Sequence, residues 1–191
     1  MAKGMYGQLA MVWKKPSREL LRDRMIEWRK SNTLVKVDKP LRLDRARALG
    51  YKAKKGFVII RARISRGGRK RSRVGVKGRK TRKMTIRKTL KMNYKWVAES
   101  RASRKFKNLE VLNSYQIGKD GKHYFFEIIM VDPLKPEIKS DRTIGWISRG
   151  TNKKRAERGL TSAARKSRGL RNRTPKVKVR PSLRARSRRG K

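Results

Sequence analysis

Few residues of this chain belong to the types that carry out catalysis or bind metal ions. The 191 residues include one histidine and no cysteine, which excludes disulfides, paired catalytic cysteines and the usual zinc sites built on both residue types. His123 stands at the start of a predicted strand. A general base there would need an orienting carboxylate and a pocket, and the sequence indicates neither. We therefore interpret His123 as structural.

The carboxylates and one glycine-containing stretch give no better catalytic site. Glu110, Glu127 and Asp132 stand apart along the chain, so we expect each to neutralise a nearby base instead of forming an acid–base pair or a metal site. The stretch 75–81, GVKGRKT, has the wrong glycine spacing for a phosphate-binding P-loop, and no buried strand precedes it. The sequence predicts no enzymatic activity, no cofactor and no metal.

The chemistry that remains is the binding of a polyanion. Lys and Arg number 59 against 13 Asp and Glu, which gives a formal net charge of +46. Like charges at this density repel one another in a compact chain, so we expect the native state to include an anionic partner, nucleic acid above all. A supercharged soluble protein or a merely disordered one is disfavoured, because acids serve solubility better than bases do.

The bases concentrate in a loop from Arg66 to Lys83 and in a tail from Lys153 onward. A run this basic must be solvated or covered by phosphates. Gly67 and Gly68, flanked by bases, would let backbone amides approach phosphates closely.

With two bases of the preceding strand, the predicted RNA-binding residues are Arg61, Arg63, Arg66, Gly67, Gly68, Arg69, Lys70, Arg71, Arg73, Lys77, Arg79, Lys80, Arg82, Lys83, Lys153, Lys154, Arg155, Arg158, Arg165, Lys166, Arg168, Arg171 and Arg173.

Hydrophobic periodicity predicts the elements that must position these bases. The predicted helices cover 5–13, 16–30, a short stretch through Ala46 that Gly50 ends, and a stretch from an N-cap at Thr89 through Ala102. The predicted strands are 34–37, 57–64, 109–117 and 124–131, the last two joined by a turn at 118–121. This order predicts an α+β fold, a small, mostly antiparallel sheet covered by helices, in which the strand 124–131 is central.

Composition along the chain predicts three regions. Residues 1–30 form N-terminal helices, residues 31–135 form the α+β core with a basic loop inserted at about 65–88, and residues 136–191 form a basic RNA-binding extension. The final stretch from Arg171 has almost no apolar residues, so we expect it to become ordered only on a partner. The chain shows no signal peptide and no apolar stretch of membrane-spanning length, and we expect a cytoplasmic protein.

Three stretches resemble a known family, the archaeal and eukaryotic large-subunit ribosomal protein called fifteen-e. They are LGYKAKKGFVIIRARISRGGRKR at 49–71, VLNSYQIGKDGKHYFFEIIMVDP at 111–133 and RGLTSAARKSRGL at 158–170. The resemblance extends over nearly the whole chain and is weakest at 75–92 and near the C-terminus. It implies a small antiparallel sheet covered by helices, with basic extensions that thread between helices of the large ribosomal RNA. It also implies neighbouring ribosomal proteins as further partners, and no catalytic activity, membrane or small-molecule substrate.

Charge alone leaves two other classes of protein open. One is a chromatin or nucleoid protein that compacts double-stranded DNA, and the other is an enzyme that modifies nucleic acid. The organised hairpin between two unlike basic segments, without repeats of a DNA-binding unit, argues against the first. The missing catalytic site argues against the second.

Overall fold

The computed structural model describes residues 4–70, 87, 88, 90 and 92–171. Its strands are β1 (Leu34–Val37), β2 (Phe57–Ser65), β3 (Arg69–Lys70), β4 (Arg87–Lys88), β5 (Glu110–Lys119) and β6 (His123–Val131). Its helices are α1 (Met5–Val12), α2 (Arg18–Lys30), α3 (Leu43–Ala48), α4 (Tyr94–Lys105), α5 (Pro136–Lys139) and α6 (Ser162–Ser167), with 3-10 turns at Gly145–Ser148 and Gly150–Asn152. Within these ranges no helix has the length and apolar character that a bilayer span requires.

The main sheet has four antiparallel strands in the order β1-β2-β6-β5, so the predicted α+β fold is confirmed. β6 is a central strand, as expected from a sequence that is apolar on both faces. Its residues from Phe125 to Val131 are all buried. β5 and β1 are the two edges of this sheet.

Helix α4 covers one face of the sheet. Ala98 and Ala102 pack against Ile60 and Ile128, and the small alanines allow the helix to lie close to the strands. The helix begins one turn later than predicted. Asn93 is its N-cap, and the Asn93 Oδ1 accepts a hydrogen bond of 2.8 Å from the Trp96 amide, whereas Leu90 lies outside the helix and is exposed.

The opposite face is covered by α2 and α3. Trp28 of α2 packs on Phe125 with ring centroids 5.3 Å apart, and Ala46 of α3 is fully buried beside Ile59. The apolar stripe of α2 therefore faces the sheet, and its bases and acids face outward. Gly50 ends the region of α3 with a φ of 97°, the left-handed conformation that favours glycine.

The segment after residue 136 contributes to the same body. Ile138, Ile144 and Ile147 form a cluster with Val131 at the end of β6. Farther along, Ala156 joins the cluster under α4, and α6 packs Ala164 against Trp96. Much of the region predicted as a basic extension thus provides core packing up to α6.

Gly56 offers a test of how tightly this segment packs on the sheet. Its φ is 92°, and a Cβ there would lie 2.6 Å from the Ile138 Cγ1. Gly56→Ala is therefore expected to lower the free energy of unfolding by about 2–4 kcal/mol, from backbone strain plus overpacking. Gly121→Ala is the control, because its Cβ would meet nothing within 4 Å. If urea denaturation gave both variants the same free energy of unfolding, the close packing of Ile138 against Gly56 would be contradicted.

Candidate nucleic-acid interface

Most of the exposed predicted bases lie in the C-terminal segment. α6 begins at the cap residue Thr161, whose hydroxyl accepts a hydrogen bond from the Ala164 amide, and its buried alanines turn the basic side of the helix outward. Besides Arg66, six predicted bases are exposed, all in this segment: Lys153, Lys154, Arg158, Arg165, Lys166 and Arg171. None of the six forms an ion pair with an acid within the described residues.

The predicted bases of β2 and its end are held by the protein itself. Arg61 lies 5.4 Å from the Trp28 ring and 3.8 Å from the Glu27 carboxylate, and Arg63 donates to the Arg29 carbonyl. Arg66 donates to the Asp120 carbonyl at 2.8 Å. These guanidiniums fix the strand that leads to the basic loop, and Arg63 and Arg66 keep further donors for a phosphate.

Two predicted bases of the C-terminal segment have partners inside the protein. Arg155 donates to the carbonyls of Val111 and Leu112 at 2.7 and 2.9 Å, and its guanidinium lies 4.9 Å from the Trp146 ring. Burial lowers the pKa of Arg155 from its ordinary value. Arg168 donates to the Gly159 carbonyl at 2.9 Å. Arg155 therefore fastens the segment to β5, whereas Arg168 joins two parts of the segment itself.

The start of the basic loop is a two-stranded ladder. β3 and β4 are antiparallel, with Arg69 opposite Lys88 and Lys70 opposite Arg87. Gly67, just before β3, has a φ of 96°, and its amide donates to the Tyr94 hydroxyl at 2.9 Å. Gly68 links Gly67 to β3. The remaining predicted residues, Arg71, Arg73, Lys77, Arg79, Lys80, Arg82, Lys83 and Arg173, lie outside the described residues.

The carboxylates expected to neutralise bases have other principal partners. Glu127 is buried and accepts hydrogen bonds from the Tyr115 hydroxyl at 2.6 Å and the Leu41 amide at 3.1 Å. Glu110 accepts from the Lys154 amide, and Asp132 from the Leu134 amide. Nearby bases act on two of these acids as well: the charge of Glu110 raises the pKa of Arg155, and the charge of Arg61 lowers the pKa of Glu127. For Asp132 the expectation stays a prediction.

A further buried acid, Glu99 of α4, was not singled out by the sequence. Its two carboxylate oxygens accept hydrogen bonds of 2.5 Å each from the hydroxyls of Ser114 and Thr161. Burial raises the pKa of both Glu99 and Glu127 above the usual carboxyl range. Because these acids are inside, the surface is even more cationic than the composition indicates.

The sole histidine lies in the hairpin between β5 and β6. His123 Nδ1 is 3.6 Å from the Asp120 carboxylate, and its ring is near Phe125. The same carboxylate accepts hydrogen bonds from the backbone amides of Lys122 and His123 and so shapes the turn. These contacts lie within the hairpin.

Comparisons with known proteins give one consistent family. A family model described as Ribosomal L15 matches residues 4–186. The large ribosomal subunit protein eL15 of Methanocella arvoryzae is 52% identical over 197 aligned positions, which cover 100% of both chains. The protein of the same name from Methanospirillum hungatei JF-1 is 47% identical over 197 positions, again with 100% of both chains covered.

Proposed function

Because the chain belongs to the Ribosomal L15 family, we propose that it is a structural constituent of the large ribosomal subunit that binds and stabilises folded ribosomal RNA and supports subunit assembly. Members of this family are ribosomal structural proteins, and the chain is not an enzyme. As a large-subunit constituent it is cytoplasmic. Its partners are ribosomal RNA and neighbouring ribosomal proteins.

The observation that carries the RNA-binding role is that the exposed bases of the C-terminal segment have no acid partners. Glu99, Glu110 and Glu127 are buried in the protein, whereas the six exposed bases between Lys153 and Arg171 have no acid partner among the described residues. Exposed cations without counter-charges are stabilised by a polyanion that covers them. RNA phosphates supply that charge.

The mixture of Arg and Lys suits an RNA surface of irregular shape. An Arg guanidinium can donate to two phosphate oxygens or stack on a base, whereas a Lys ammonium acts as a mobile point charge. In this proposal the C-terminal segment and the basic loop neutralise phosphates where RNA helices crowd together. The sheet positions both segments.

Sedimentation of a tagged chain in cell extracts tests this function. We expect the chain to travel with large ribosomal subunits, and we expect Lys153→Gln, Lys154→Gln and Arg158→Gln together to lower its share in that fraction severalfold. The matched control replaces the exposed Lys55, Lys107 and Lys135 with Gln, which removes the same charge outside the predicted segments. Sedimentation of the wild-type chain with chromatin instead of subunits would overturn the proposal.

A further inference from the structure

A cleft of about 480 Å³ opens along the free edge of β5. Its walls come from α3, the first turn of α4, α6 and Arg171 beyond it, so the cleft joins parts of the chain that are distant in sequence. A volume in this range is typical of sites that hold a small organic group, and it exceeds what one phosphate needs. Within the described residues β5 has a partner strand on one side only.

Four bases line this cleft: Arg45, Lys95, Lys166 and Arg171. The first two lie outside the segments that the sequence singled out. Burial, together with the positive charges of Arg45 and Lys166, lowers the pKa of Lys95, so these cations stand close enough to repel one another. The one acid that raises this pKa is Glu99, and its oxygens already accept hydrogen bonds from two hydroxyls. An anion in the cleft would relieve this repulsion.

Two amide side chains of β5 also line the cleft and have unused hydrogen-bonding capacity. Asn113 Oδ1 accepts from the Ser114 amide, while Asn113 Nδ2 has no acceptor among the described residues. Gln116 Nε2 lies 3.5 Å from the Gly118 carbonyl, and Gln116 Oε1 has no donor within the same set. The cleft therefore offers a donor and an acceptor together, the pair that a nucleobase edge can match.

The backbone of β5 supports a binding role for these amides. The pairing of β5 with β6 shifts register between Val111 and Asn113 and again between Gln116 and Gly118. Such bulges redirect side chains and are common beside functional sites. Here one bulge lies next to each amide. In a regular ladder, Asn113 and Gln116 would point to opposite faces of the sheet, yet both line one cleft.

From these observations we infer that the cleft binds one unpaired nucleotide of RNA, with its phosphate on Lys95 and Lys166 and its base edge on Asn113 and Gln116. The inference deepens the proposed function and rests on it. Bases of single-stranded loops and bulges are the parts of RNA that proteins read directly, because their edges are free of pairing. A peptide strand added to β5 would satisfy the free edge but would leave the four cations without an anion.

Directed hydroxyl-radical cleavage locates the nucleotide. Since the chain has no cysteine, Ser162→Cys places a single attachment point for an iron chelate in the cleft wall and leaves the four proposed contacts intact. With the full chain bound to a large-subunit ribosomal RNA transcript, we expect cleavage focused on a few consecutive nucleotides. The chelate on Lys135→Cys, at α5, serves as the control and should not cut those nucleotides.

Affinity measurements then separate base contacts from phosphate contacts. Asn113→Ala with Gln116→Ala is expected to weaken binding about tenfold without changing its salt dependence, since no charge is lost. Lys95→Gln with Lys166→Gln is expected to reduce the slope of log affinity against log salt by about 1.4–1.8. An abasic residue at the cleaved nucleotide should abolish the difference between the wild-type protein and the amide variant.

The outcomes distinguish this inference from the proposed function. The wild-type chain could bind the transcript while cleavage from residue 162 is unfocused, or while the amide variant binds with unchanged affinity. Either result would keep the proposed function and overturn the nucleotide site. In assembled subunits a neighbouring protein could protect the cleft while no focused RNA cleavage occurs. That result would overturn the nucleotide site and favour a peptide strand added to β5. A wild-type chain without salt-dependent RNA affinity would contradict the proposed function itself.

Discussion

Replacing Trp96 with alanine is expected to lower the free energy of unfolding by about 3–5 kcal/mol, the usual cost of removing a buried large aromatic side chain. Trp96 lies on α4 and is only 5% exposed, packed against Ala163 and Ala164 of α6. Its indole N–H donates a buried hydrogen bond of 2.7 Å to the Ala156 carbonyl. The substitution removes the packing and leaves that carbonyl without its donor, so it releases the C-terminal segment from the core.

Urea denaturation and digestion with a nonspecific protease measure this effect. Trp96→Phe is the graded control, expected to lose less because most of the packing remains. Trp13→Ala is the matched control at the C-cap of α1, where the tryptophan is partly exposed and contacts Arg42, and we expect a loss below about 1 kcal/mol. Two results would contradict the anchoring role of Trp96. One is an equal loss of unfolding free energy in Trp13→Ala and Trp96→Ala, and the other is unchanged protease resistance of residues 153–171 in Trp96→Ala.

Replacing Arg69, Lys70, Arg71 and Arg73 together with glutamine is expected to weaken binding to large-subunit ribosomal RNA by about two to three orders of magnitude at 0.1 M salt. Each lost phosphate contact lowers the slope of log affinity against log salt by about 0.7–0.9, so four lower it by about three. Arg69 and Lys70 form β3, which pairs with β4 and not with the four-stranded sheet. The fold of the core should therefore persist.

Binding to a ribosomal RNA transcript across several salt concentrations, with circular dichroism of each protein, separates lost contacts from misfolding. The control replaces four exposed lysines outside the predicted segments, Lys36, Lys55, Lys107 and Lys135. We expect a smaller change in slope for this control than for the loop variant. A loop variant with the wild-type slope and normal incorporation into subunits would remove the loop from the proposed interface.

The fold could be predicted from the sequence where local pattern and tertiary environment agree. Leu34–Val37 is a strand at the predicted positions, and the two-faced apolar run ending at Val131 is a central strand. The start of α4 was misplaced because Leu90 fits the apolar periodicity of that helix. In the structure Leu90 is 41% exposed, and the side chain of Asn93 provides the cap. A periodicity match cannot distinguish a buried position from an exposed one just outside the helix.

The density of bases along the chain predicted which segments belong to the candidate site, but not the role of each base within them. That density cannot distinguish Arg155, which donates to carbonyls of β5, from Lys153, which is exposed, because the partners of Arg155 lie more than forty residues away. It also missed Arg45 and Lys95, since both lie on helices outside the basic loop and tail. Only the packing of α3, α4 and α6 around β5 brings them together with Lys166.

The strand order has a consequence for folding during translation. β2 pairs with β1, and only α3 lies between these two strands along the chain. The other neighbour of β2 is β6, the last strand of the sheet in sequence. The sheet can therefore close only after residue 131 of 191 has left the exit tunnel. Until then the nascent chain carries an open strand edge and the bases of residues 66–83 without their final surroundings. Slower elongation once residue 131 has emerged would give the sheet time to close before the last basic segment emerges.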